Sequence, residues 1–191
     1  MKNNQKLLSL ILAGVVVIAG VVFAVIMINK RYDNPLASEE SKGNCKVLEC
    51  MEQLNGNMSM AEINNVIGFE GELKSETDLY KTYVWQLSEK TSIEAMISQN
   101  YGTASIEANY PTELRPTGAD FSRWDEIQSK LKNGDKFTYD EFVDLVGGVQ
   151  GVLDKVDSSR RTYHWYNSEG GYLFAFFDLD DGYCTLASGR F

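Results

Sequence analysis

The residue types with most chemistry to offer stand in two short stretches, Thr82-Tyr83-Val84-Trp85 and Thr162-Tyr163-His164-Trp165. Tyr and Trp join a large apolar ring to one polar tip and carry a disproportionate share of the energy of protein interfaces. The chemistry on offer is recognition. Groups for reaction are sparse. His164 is the only histidine, and an imidazole with no nucleophile or second ligand beside it reads as a hydrogen-bonded core residue rather than a base. Asp178-Leu179-Asp180-Asp181-Gly182 has the carboxylates of a calcium loop, but the EF-hand requires glycine at its sixth place and here it stands at the fifth. Its counterpart Ser98-Gln99-Asn100-Tyr101-Gly102 keeps the turn and loses the carboxylates, so turn chemistry explains both. No glycine-rich phosphate loop, nucleophile elbow or Cys/His cluster is present. The reading is a chain that is not an enzyme, with no catalytic residues, no metal and no cofactor.

The two stretches belong to a longer correspondence. At a spacing of 80, Ala95 meets Ala175, Met96 meets Phe176, Gly102 meets Gly182 and Ile106 meets Leu186; at 79, Ile63 meets Phe142, Ile67 meets Val146 and Gly68 meets Gly147. Self-similarity at a fixed period marks two copies of one supersecondary unit. What both copies keep is architecture, and what differs is a candidate for specificity.

Leu7 to Ile28 is 22 residues without a charge, long enough at ~1.5 Å per residue to cross a ~30 Å hydrocarbon core. It reads as a transmembrane or signal anchor with a short cytoplasmic tail, residues 1–6, and an extracellular C-terminal domain at the cell membrane. Beyond Arg31 there are 27 acidic against 14 basic residues, a net charge of −13. That field repels nucleic acid. Cys45, Cys50 and Cys184 show no metal spacing; on one helix, Cys45 and Cys50 would stand beyond the ~7 Å Cα limit for a bridge, so they read as unpaired thiols.

The elements that must position the aromatic residues follow from period and punctuation. Residues 29–44 are polar, with Pro35 and Gly43, and read as a flexible stalk. Cys45 to Leu54 has an apolar face at helical spacing. Ser59 with Glu62, and Thr138 with Glu141, are capping boxes that open the helices carrying Ile63, Val66 and Ile67 in one copy and Phe142, Leu145 and Val146 in the other. Trp124, Ile127 and Leu131 form the face of a further helix. Alternation predicts strands at 80–87, 92–98, 103–109, 161–166, 172–178 and 183–189, with weaker ones at 70–75 and 151–157. The expected fold class is α+β: two tandem helix-loop-helix plus antiparallel three- to four-stranded sheet repeats, at 45–110 and 121–191, joined by a linker at 111–120 and preceded by a transmembrane helix at 7–28.

Side chains alternate across a strand, so a hairpin register assigns faces. With Glu169-Gly170 and Asp181-Gly182 as two-residue loops, Trp165 stands opposite Phe174 and Tyr163 opposite Phe176. Val84, Ile93, Ala95, Ile97, Ala104, Ile106 and Ala108 then share the face under the helices, as do His164, Phe177 and Leu186 in the second copy. The open face carries Tyr83, Trp85, Glu94, Met96 and Glu107, with Tyr163, Trp165, Phe174 and Phe176. These nine are the candidate partner-binding residues. A slip of one residue in a hairpin exchanges the faces and makes the rings ordinary core.

The tandem order of helix pair and strands, the helix ends Ile67-Gly68 and Val146-Gly147, and the pairs Tyr83-x-Trp85 and Tyr163-x-Trp165 resemble the β-lactamase inhibitory protein family. They look most like the Gram-positive envelope proteins that share its fold; each unit is more distantly similar to outer-membrane assembly lipoproteins of the SmpA/OmlA type. The resemblance covers residues 45–191. It implies a concave, aromatic sheet face that grips a protein partner, with Tyr83, Trp85, Met96, Tyr163, Trp165, Phe174 and Phe176 as contacts. The family's inhibitor is secreted with a disulfide in each repeat, whereas this chain has an anchor and no matching cysteine pairs. The expected function is a membrane-anchored, non-catalytic protein-binding module whose partner is a β-lactamase or another envelope protein. The alternative is an envelope sensor or assembly factor that binds a peptide or envelope component.

Overall fold

The computed structural model describes residues 34–191; the expected tail and membrane span lie outside them. Among the described residues no helix is long and apolar enough to cross a membrane. Helices α1 (Pro35–Ser38), α2 (Val47–Gln53) and α3 (Met60–Ile67) precede strands β1 (Glu72–Glu76), β2 (Tyr80–Gln86), β3 (Ser92–Ser98) and β4 (Ala104–Asn109). After a 3-10 turn at Thr112–Leu114, helices α4 (Trp124–Lys132) and α5 (Tyr139–Leu145) precede β5 (Val152–Val156), β6 (Arg160–Tyr166), β7 (Tyr172–Asp178) and β8 (Cys184–Arg190).

Side-chain caps set the helix starts. The Ser59 hydroxyl accepts from the Glu62 amide while the Glu62 carboxylate accepts from the Ser59 amide at 2.8 Å, and Thr138 with Glu141 does the same at 2.8 Å. Two otherwise orphaned amides are satisfied at each helix. α3 ends at Gly68, whose φ of +99° only glycine adopts without strain.

The strands pair antiparallel in chain order, β1 through β8, as one sheet. This corrects the expected fold class: in place of an α+β molecule with two tandem three- to four-stranded sheets, the described residues form a single eight-stranded antiparallel sheet with few helices. The join is β4 on β5, through Ile106 opposite Val156 and Glu107 opposite Lys155. Each half would otherwise expose a strand edge of unpaired amides and carbonyls, and pairing satisfies both. Helix α2 of the first half packs on β4 and on β5 of the second. Across the same seam Arg161 donates to the Glu52 carboxylate at 2.8 Å and to the Glu52 carbonyl at 3.0 Å.

Two more expectations are corrected. Residues 34–44 are folded rather than a stalk: Leu36 is fully buried, and the Lys42 and Asn44 amides donate to the Leu87 and Ile67 carbonyls. Cys45 and Cys50 form a disulfide, with Cα atoms 5.4 Å apart. Cys45 lies in a bend before α2 begins at Val47, so the helical spacing of five residues does not apply and the chain folds back to bring the two cysteines together.

Candidate functional site

Loop length decides which rings the sheet buries. The β2–β3 and β6–β7 hairpins close with three residues: Leu87 donates to Thr91 across Ser88–Lys90, and Asn167 to Gly171 across 168–170. The last hairpin closes with four, Asp178 donating to Tyr183. Two-residue loops would give one register; the three-residue loops shift it by one, and the four-residue loop shifts it by two, of which the irregularity between Phe176 and Phe177 returns one. Trp85 therefore stands opposite Ile93 and Tyr83 opposite Ala95, while Trp165 stands opposite Leu173 and Tyr163 opposite Ala175.

The consequence is a face exchange in β2 and β6, which precede the three-residue loops, and in β8 beyond its irregularity. Trp85 and Trp165 are fully buried under the helices and Tyr163 nearly so, while Tyr83 is half-buried beside Trp85, ring centroids 6.4 Å apart. The Trp85 indole donates to the Asn64 side chain at 2.9 Å, and the Trp165 indole to the Val149 carbonyl at 2.8 Å. A Cβ on Gly71 would come within 2.5 Å of Trp85, and one on Gly151 within 2.7 Å of Trp165. Trp85, Tyr163 and Trp165 are corrected from contact surface to core, and Tyr83 to the helix-covered face beside Trp85. Glu94, Met96, Glu107, Phe174 and Phe176 do lie on the helix-free face, Met96 at 43% exposure. His164 and Leu186 move the other way, from the expected buried face to the open one, opposite Phe174 and Phe176.

The open face is polar in the first half and aromatic in the second. Lys74, placed outward by an irregularity between Leu73 and Ser75, pairs with Glu94 at 2.6 Å. Eighty residues on, the same irregularity places Asp154 beside His164, its carboxylate 3.1 Å from the imidazole Nδ1. That contact lacks hydrogen-bond alignment, so Nδ1 is buried without a hydrogen-bond partner. The Tyr110 hydroxyl donates to Asp154 at 3.0 Å and lies 3.4 Å from the Tyr166 hydroxyl. Since Tyr110 gives its one proton to Asp154, Tyr166 donates to Tyr110. Burial raises the hydroxyl pKa of both tyrosines, and the Asp154 charge adds to the effect.

Phe174 packs on Phe176 at 5.4 Å and on His164 at 5.6 Å, and His164 stacks on Tyr166. Arg160 covers Phe176 at 5.0 Å, and Arg115 covers Tyr166 at 4.9 Å. Two adjoining grooves of about 490 and 420 Å³ share Asp154, His164 and Phe174. Ser105 lines the first, but its buried hydroxyl makes no hydrogen bond to His164 or any other group. The groove lacks a joined nucleophile and base. Among the described residues no cluster of His, Cys, Asp and Glu could hold a metal ion.

Sequence reasoning missed His164, Asp154, Tyr110, Tyr166 and Arg115 as one network. The available signal was exchange between the copies: Lys74 for Asp154, Val84 for His164, Glu94 for Phe174 and Met96 for Phe176. No protein-family model, curated protein or solved structure matches the chain.

Proposed function

We propose that the chain is a membrane-anchored, non-catalytic binding module that takes a protein partner on the helix-free face of its sheet, outside the cell. The observation that carries this reading is the half-buried Phe174, Phe176, His164 and Tyr166 cluster, which borders a groove on a face that no helix covers. Contiguous aromatic surface of this kind marks interaction sites. Phe174 and Phe176 are its anchors, Met96 extends it, and Glu94 and Glu107 select at the rim; Tyr83, Trp85, Tyr163 and Trp165 hold the sheet on its helices from below. The Cys45–Cys50 disulfide supports an oxidising, extracellular location for the folded unit. On the resemblance alone, a β-lactamase is the first partner to assay.

The test is photo-crosslinking in the cells that make the protein, with benzoylphenylalanine in the full chain at position 176 or, on the helix side, at position 125. One discrete adduct from position 176, absent from 125, is expected. Identical adducts from both positions, or none from 176, would overturn the reading.

A further inference from the structure

The open groove runs along β6 and β7, and its polar groups are unevenly satisfied. Lys155 pairs with Glu107, and Arg160 with Asp157 at 3.3 Å. Arg115 differs. It lies over the Tyr166 ring, its Nε is buried without a hydrogen-bond partner, and among the described residues no carboxylate pairs with it. Four buried side-chain N or O atoms among the described residues lack a partner, and three of them, on Ser105, His164 and Arg115, line these two grooves. A buried donor left unpaired is destabilising, and a ligand that supplies an acceptor to the guanidinium offsets that cost.

Position along the strands orders these groups. The Arg160 level lies opposite Asp178, then Thr162 opposite Phe176, His164 opposite Phe174, and Tyr166 opposite Tyr172. From Arg160 to Tyr166 is six residue steps, roughly 20 Å at ~3.3 Å each. Apolar rings lie at two consecutive levels, and the unpaired guanidinium at the next. An extended chain points every second side chain to one side at the same ~7 Å interval.

Resting on the reading above, we propose that the groove binds an extended segment of the partner protein in which two large apolar side chains and a carboxylate alternate with other residues, apolar-x-apolar-x-acid. The apolar pair lies on Phe176 and Phe174, and the acid pairs with Arg115. The guanidinium fork matches a carboxylate in geometry as well as charge. The molecule is acidic overall; of the residues lining this end of the groove, Arg115 is the cation and Asp154 the carboxylate, and Asp154 already accepts from Tyr110. The first half offers no equivalent, since Glu94 and Met96 stand where Phe174 and Phe176 do.

The probe is a blocked heptapeptide, Ser-Leu-Thr-Leu-Thr-Glu-Ser, titrated into the full chain in lipid nanodiscs and followed by calorimetry, beside its Glu-to-Gln analogue. Wild type should bind the acidic peptide at least tenfold more tightly than the analogue, and Arg115→Gln should abolish that preference while still binding the analogue. Phe176→Ser should weaken both peptides alike; thermal melts confirm that each variant is folded. No binding by wild type, or a preference that survives in Arg115→Gln, overturns the proposal. So does perturbation of the same groove by a chito-oligosaccharide but not by the peptide, which would make the ligand a glycan. A position-176 adduct that persists alongside such a failure leaves the protein-binding reading standing and removes only this ligand; loss of the adduct removes both.

Discussion

At the scale of single residues, Gly71 and Gly151 are as necessary to the core as the tryptophans they touch. Each lies so close to its indole that a methyl group has no room. Gly71→Ala and Gly151→Ala are each expected to lower stability by about 1–3 kcal/mol through overpacking. Gly118→Ala, where a Cβ would meet only Val149 at 3.5 Å, should stay within about 0.5 kcal/mol. Urea titration of the three variants distinguishes them. Cys184 gives a prediction in pH. Burial pushes its thiol up to about 12 from the ordinary 9.0, so the folded chain keeps a proton that the unfolded chain loses. That contribution to stability is fully present below pH 9 and is lost as pH rises toward 12. Cys184→Ala should flatten the alkaline decline of the melting temperature; an unchanged slope would show that the thiol plays no part.

At the scale of elements, the capping boxes and the disulfide define where helices begin. Ser59→Ala and Thr138→Ala should each cost about 1 kcal/mol, read as a shift in denaturation midpoint. The Cys45–Cys50 bridge closes a short loop that runs into the first turn of α2, and its removal by Cys45→Ser with Cys50→Ser should cost about 2 kcal/mol on the loop-entropy estimate. Thiol alkylation after unfolding provides a direct check: one reactive thiol without reductant, three with it. A count of three without reductant would mean that the bridge does not form. Glu62 and Glu141 have carboxyls held below their usual range by these same caps, so the caps weaken as pH falls through that range.

At the scale of the whole molecule, the continuous sheet makes the two halves interdependent. α2 packs across the β4–β5 seam and Glu52 bonds Arg161 on the far side of it, so neither half keeps its core when the other opens. Thermal unfolding should show one transition for the described residues, and Ser59→Ala should shift the exchange of β7 amides as much as those of β3. Two separate transitions, or protection lost in β3 alone, would mean that the halves fold independently.

Much of this was legible along the chain because it depends on near neighbours. Ser59 with Glu62 and Thr138 with Glu141 specify caps within three residues, and alternation locates Ser92–Ser98 and Tyr172–Asp178 because the period of a strand is local. The sequence by itself determined those elements, the absence of reaction motifs and the net acidic charge. What only the tertiary structure decided was how they meet. One extra residue in the Ser88–Lys90 and 168–170 loops reversed β2 and β6, carrying Trp85 and Trp165 inward and His164 outward, because side-chain direction has a period of two and any slip inverts it. The joining of the halves into one sheet, and the meeting of Arg115 with Tyr166, likewise depend on contacts between residues far apart in sequence. No local pattern records such contacts, since each is stable only once both partners are already in place.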